Sequence, residues 1–234
     1  MKAVPTILFL LITNLTFCQD KINSGVFDSK GDTSFWYKNQ TEFATEISLP
    51  LLQNSTTEEF YRFWIINQVI DVWKCANGSF SGSITSWAKE SVRENEIRTS
   101  KIFVKSAKIS QDTSKLIRDL YINSRMLDLP TYHSINGWHQ GLDGFTYIIE
   151  NTTTKNYNFK TYWTPEAQEN LPEAKKLIEF INTLKKQSNS KSIWNSFANI
   201  IPFDCYFYGD MNIICKILTL VPRKESLKEK KNNR

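Results

Sequence analysis

Two hydrophobic periods divide this chain into strand blocks and helix blocks. Phe60-Tyr61-Arg62-Phe63-Trp64-Ile65-Ile66 is a β-prone aromatic run, and Val69-Ile70-Asp71-Val72-Trp73-Lys74-Cys75 follows after Asn67-Gln68. Asn77-Gly78 then supplies two positions tolerant of positive φ. That predicts a type I′ hairpin returning through Phe80, Gly82, Ile84 and Trp87. A further strand is expected over Lys101–Ile109, with Ile102, Val104 and Ser106 on one face and Phe103, Lys105 and Ala107 on the other. The period then changes. Leu116, Ile117, Leu120, Tyr121 and Leu127 recur at helical spacing behind Ser110 and Asp112, both suited to an N-cap.

After Leu129-Pro130 and a loop carrying Gly137, Gly141 and Gly144, a second hairpin is predicted. It runs out over Phe145–Glu150 and back over Tyr157–Trp163. Pro172 fits a first helical turn, and Ala174, Leu177, Ile178, Ile181 and Leu184 form an amphipathic stripe. A polar break at Ser188–Ser192 precedes a short helix around Ile193–Ile201. Upstream, Glu42–Leu49 reads as a short helix ended by Pro50, and residues 19–34 read as a flexible polar start.

Strands joined by tight turns must be antiparallel. The reading is therefore α+β: an antiparallel sheet of about five strands with two helices packed on one face, plus a small C-terminal helix and hairpin. The chain divides into a signal peptide (1–18), a flexible or partly helical segment (19–56), the α+β domain (57–187), the C-terminal helix and hairpin (188–222) and a basic disordered tail (223–234).

The N-terminus sets the compartment. Lys2, the apolar core Val4–Ile12 and small residues at Thr16 and Cys18 make a secretory signal peptide cut before Gln19. The core is too short for a spanning helix, which needs about 20 apolar residues. Leu15-Thr16-Phe17-Cys18 also has the outline of a lipobox, in which Cys18 would carry a lipid, but Phe17 is large for the place before that cysteine. Membrane association is thus expected only with lipid on Cys18. The destination is periplasmic or extracellular, with the outer envelope as the tethered case.

Export changes how cysteines are read. Cys205 and Cys215 flank a predicted hairpin turning at Gly209-Asp210, so a Cys205–Cys215 disulfide is expected and Cys75 is left as a buried thiol. With no CxxC pair and two histidines in the chain, neither a metal nor another cofactor is expected. The net charge of +5 is concentrated at the end: six basic and two acidic side chains lie in Arg223–Arg234. The folded body is near neutral, which argues against a nucleic-acid groove. Aromatic residues make up 13% of the chain, enough for a heavily aromatic core or a contact surface.

Tyr61-Arg62-Phe63-Trp64, Gly137-Trp138, Gly141-Leu142-Asp143-Gly144 with Tyr147-Ile148-Ile149-Glu150, and Tyr162-Trp163-Thr164-Pro165 together resemble an uncharacterised group of exported bacterial proteins, over about residues 58–187. The resemblance implies no activity. In a bacterium the sequons at Asn39, Asn54, Asn77 and Asn151 would carry no glycan.

Candidate chemistry centres on His133, Trp138, His139, Gln140 and Asp143. A histidine beside a carboxylate can serve as a general base near neutral pH, so His139 with Asp143 is a catalytic candidate, with His133 nearby and Ser134 as the neighbouring hydroxyl. The same glycine-rich loop also reads as a plain turn, or as a binding loop presenting Trp138. Arg62 and Glu150, each inside an apolar strand, form either a buried salt bridge or a site for an anionic ligand. The leading expectation is a non-enzymatic binding or interaction domain for an unidentified protein or small ligand; the alternatives are a hydrolase using the His139/Asp143 loop and a lipid-tethered envelope protein. The intact mass of the mature protein decides the last point: a chain beginning at Gln19 is expected, and an acylated N-terminal Cys18 would show tethering.

Overall fold

The computed structural model describes residues 21–28, 30–92, 99–141, 143–209 and 212–216. The signal-peptide, lipobox and basic-tail readings, and Asp210 of the hairpin turn, lie outside them. Among the described residues nine strands form one sheet and four α-helices pack on it. The fold is mixed α+β, larger than the sequence reading of about five strands and two helices.

The strands are β1 (Ile22–Ser24), β2 (Glu59–Ile65), β3 (Gln68–Lys74), β4 (Phe80–Glu90), β5 (Ile102–Ile109), β6 (Thr146–Thr153), β7 (Asn156–Trp163), β8 (Cys205–Tyr208) and β9 (Asn212–Cys215). The order is β1-β7-β6-β2-β3-β4-β8-β9, with β5 also on β4. All pairs are antiparallel except β1–β7, which is parallel. The expected flexible start therefore contributes an edge strand.

The helices are α1 (Phe35–Glu46), α2 (Gln111–Asn123), α3 (Pro172–Gln187) and α4 (Ser190–Ala198). Helix α1 begins earlier than the segment ended by Pro50 suggested, and it takes up Phe35-Trp36-Tyr37. Helix α2 is capped as expected: the Ser110 side chain accepts from the Thr113 amide.

Strand alternation sorts the core onto two faces. On the first, Phe63, Ile65, Ile70, Val72, Ile84, Tyr147, Ile149 and Tyr162 are buried with Ile117 and Tyr121 of α2 and Leu177, Phe180, Ile181 and Leu184 of α3. Helix α4 extends this layer, setting Phe197 and Trp194 with Ala88 and Phe103. On the second face, Phe60, Trp64, Val69, Ile148, Tyr157 and Phe159 pack with Tyr37 and Ala44 of α1 and with Leu52. Helices therefore lie on both faces, not one. Strands β2, β6 and β7 are accordingly buried on both sides, as strands covered twice must be.

The C-terminal hairpin belongs to the sheet. Lys89 pairs with Ile102 on one edge and Phe207 on the other, so β8 continues the position of β3 beyond the Ile66-Asn67 turn. Asn67, at φ 53°, joins the pieces. Its amide donates to the carbonyls of Trp87 (3.1 Å) and Phe207 (3.2 Å), and its side-chain oxygen accepts from the Gly209 amide at 2.6 Å. Cys205 and Cys215 face each other in register and form the expected disulfide. Cys75 is a half-buried thiol beside Ser81. Its hairpin is not type I′: Gly78 alone has positive φ, and the Cys75 amide donates to the Ser79 carbonyl.

Lys160 of β7 ties the first helical layer to the sheet. Its buried ammonium donates to the carbonyls of Met126 (3.1 Å), Leu127 and Leu129 (2.8 Å), in the turn after α2. Burial, partly opposed by Asp128, pushes its pKa down to about 8. The charged form is therefore penalised in the fold at every pH below about 8, and the penalty is relieved as pH rises from there to 10.5. Urea melts of the wild type and Lys160→Met at several pH values should show the wild type gaining stability relative to the variant across that window; a flat difference would contradict the shift.

Candidate functional site

A polar network sits in the second face, at the middle of the sheet. Register places Arg62 of β2 between Asp71 of β3 and Glu150 of β6. The expected Arg62–Glu150 ion pair is replaced by a bidentate one with Asp71: Nε donates to Oδ1 at 2.7 Å and Nη2 to Oδ2 at 2.9 Å. Nη1 donates to the Pro50 carbonyl at 2.8 Å. The rings of Phe60 and Trp64 flank the guanidinium, each 5.7 Å from its carbon. Burial opposes the charge, but Asp71, with Glu150 further off, outweighs it and holds the Arg62 pKa above its ordinary value.

Glu150 is satisfied separately. Its Oε1 accepts from Trp64 Nε1 at 2.6 Å and its Oε2 from the Tyr157 hydroxyl at 2.7 Å. Burial first, and the Glu150 carboxylate second, push the Tyr157 phenol far up, so it stays a donor. Arg62, Asp71 and Glu150 are each at most 4% exposed, and each is hydrogen-bonded within the cluster or to its neighbours; this cluster organises the fold.

The loop singled out for chemistry is arranged differently. His133, His139 and Asp143 are exposed, and among the described residues no hydrogen bond joins the His139 and Asp143 side chains. Leu142, between them, lies outside the described residues. His139 is held by its backbone, its amide donating to Gln168 Oε1 at 3.0 Å and its carbonyl accepting from Gln168 Nε2 at 2.8 Å. The His133 ring lies on Tyr132 with centroids 3.9 Å apart, and partial burial lowers its pKa. Trp138 is half-buried between Tyr132 and Tyr162, and its indole N–H donates to the Trp163 carbonyl at 2.9 Å. Its side chain staples the loop to β7. Ser134 is exposed.

What the sequence reading missed is an aromatic cleft of about 400 Å³ between α1 and the second sheet face. Trp64 and Trp87 meet edge to face at 5.9 Å, and Phe43 of α1 caps both, 6.2 Å and 5.2 Å away. Trp36, Phe145 and Phe207 complete the apolar wall. Asn39, Gln40, Asn67 and Thr146 supply polar groups, and Lys89 is the one charged lining residue among the described residues. Neither His133, His139 nor Asp143 lines it. A cleft mostly apolar, with a few polar groups around it, suits a small molecule. The signal was present in the helical spacing of Trp36, Gln40 and Phe43, but it needed the helix assigned over those residues.

The chain matches no known protein-family model and no curated protein, so the site's geometry carries the argument.

The buried pair yields a stability prediction. Arg62→Met strands the Asp71 carboxylate inside the protein and should cost about 3–5 kcal/mol. Arg62→Met combined with Asp71→Leu should recover much of that loss, while His139→Ala should change stability by less than about 0.5 kcal/mol, as an exposed loop position does. Chemical denaturation of the three variants checks the order.

Proposed function

We propose that this chain is an exported bacterial binding domain whose aromatic cleft holds a small ligand with an aromatic or alkyl body and a polar or anionic end. The observation that carries the reading is the cleft itself. Trp64 and Trp87 floor it, Phe43 caps both from α1, and Lys89 offers a cation. Among the described residues its lining has no histidine, cysteine or carboxylate, and binding is the reading its aromatic wall supports.

Export is supported by the signal-like N-terminus and by a disulfide of the kind that persists in oxidising compartments. Among the described residues no helix is long and apolar enough to cross a membrane. The group resemblance is consistent with the same destination. The hydrolase reading has less support, because His139 and Asp143 sit exposed and without a mutual hydrogen bond.

Calorimetric titration with aromatic and alkyl carboxylates, using indole-3-acetate and octanoate as probes, tests the reading. A one-to-one complex is expected, weakened at least about tenfold by Trp87→Ala and by the half-exposed Trp36→Ala. Lys89→Gln should weaken the anions and leave the matching amides unchanged. Absence of any complex at millimolar probe, or affinity indifferent to both tryptophan variants, would refute it.

A further inference from the structure

The second sheet face carries another depression, away from the aromatic cleft, with a volume of about 760 Å³. Its floor is Phe60, Asp71 and Trp73 of β2–β3, Ser83 and Thr85 of β4, and Ser106 of β5. Its wall is the segment from Leu49 to Thr57, which includes a 3-10 turn at Leu52–Asn54. Wall and floor are locked together. Arg62 donates one hydrogen bond to the Pro50 carbonyl and two to Asp71, so one guanidinium fixes the groove's width.

The lining differs in kind from that of the cleft. It combines a ring face with hydroxyls held on strands. Phe60 and Trp73 lie side by side with centroids 5.7 Å apart. Thr85 and Ser106 share one hydrogen bond of 2.7 Å, which leaves one hydroxyl proton of the two to be offered elsewhere. The half-buried Ser83 hydroxyl and Trp73 indole N–H have no hydrogen-bond partner among the described residues. Asp71 is 4% exposed, and each of its oxygens takes one hydrogen bond from Arg62 and keeps acceptor capacity. Among the described residues it is the one charged lining group, and Arg62 neutralises it.

From this arrangement we infer that the groove is a binding site for a neutral oligosaccharide. A sugar ring presents an apolar C–H face and an equatorial belt of hydroxyls that both donate and accept. The first matches the half-buried Trp73 ring, backed by the buried Phe60, and the second matches Ser83, Ser106 and the indole N–H, with the buried Thr85 and Asp71 behind them. An alkyl or aromatic ligand would leave these polar groups unpaired, which disfavours it here. An anionic polymer finds no unneutralised cation in the lining. The proposal is independent of the ligand assigned to the aromatic cleft.

Calorimetry with maltotetraose, cellotetraose, xylotetraose and N-acetylchitotetraose on the mature chain tests it. At least one is expected to bind, with Trp73→Ala weakening it about tenfold or more and Ser106→Ala about three- to tenfold. Ser106 is exposed, so its variant keeps the fold if Trp73→Ala does not. Lys191→Ala, on α4, should leave binding unchanged. Silence from all four sugars at millimolar concentration, or affinity unaffected by both groove variants, overturns the proposal. Concentration-dependent dimerisation abolished by Trp73→Ala, without sugar binding, would overturn it in favour of a second copy of this chain.

Discussion

The bidentate contact between Arg62 and Asp71 is the constraint on which the rest of the second face depends. A guanidinium 1% exposed cannot be left unpaired at the centre of a sheet. Its partner must come from a neighbouring strand, and register supplies one on each side, Asp71 and Glu150. Buried ion pairs seldom stabilise more than apolar residues of the same shape. What this one does is specify. A slip of β2 by one residue would turn Arg62 away from Asp71 and into the helix-packed apolar layer around Phe63 and Ile65. The pair therefore fixes the pairing of three strands and, through Pro50, the path of the chain leaving α1.

That path determines what the second face looks like. Helix α1 has 12 residues, so it is about 18 Å long and about 10 Å wide. The strands from β7 across to β5 span roughly 25 Å at about 4.8 Å per step. One helix cannot cover them. It lies over Trp64 and Ile148, and its aromatic residues close down on Trp87 to leave the cleft. The stretches of β4 and β5 that it does not reach carry Ser83, Thr85 and Ser106 on that side, and the segment after α1 forms the groove's wall. On the other face three helices share the work and the layer is apolar. The two depressions are thus consequences of one short helix on a wide sheet, and their different linings follow from which stretches of the same strands lie beneath it.

The sequence disclosed elements more readily than their partners. Strands β2 to β7, helices α2 and α3 and the cysteine hairpin were legible because their periods, caps and turn residues are local. Helix α1 was half legible: Pro50 marked an end, but Phe35-Trp36-Tyr37 reads equally as strand. Strand β1 has no pattern of its own; three residues become a strand because β7 has a free edge. The Cys205–Cys215 pairing was legible because hairpin register brings the two residues opposite each other. Arg62's true partner was not, since Asp71 and Glu150 are equivalent in any pattern argument and side-chain geometry decided between them. The histidine loop attracted attention because histidine beside aspartate is locally conspicuous, whereas the aromatic cleft gathers residues no local window contains.

The cleft's dependence on distant segments has a physical consequence for how a ligand and the fold are coupled. Its lining runs from Trp36 to Gly209, joining the first helix to the last hairpin. Asn67 is the hinge of that union, since its single side chain holds both the β4 backbone at Trp87 and the hairpin at Phe207 and Gly209. No partly folded chain lacking either end can present the site. A ligand that needs both walls therefore binds the native state alone and stabilises all of it in proportion to its occupancy, by mass action rather than by local contact. The disulfide works toward the same end from the other direction. It restricts the conformations open to the hairpin in the unfolded chain, which favours the last wall of the cleft.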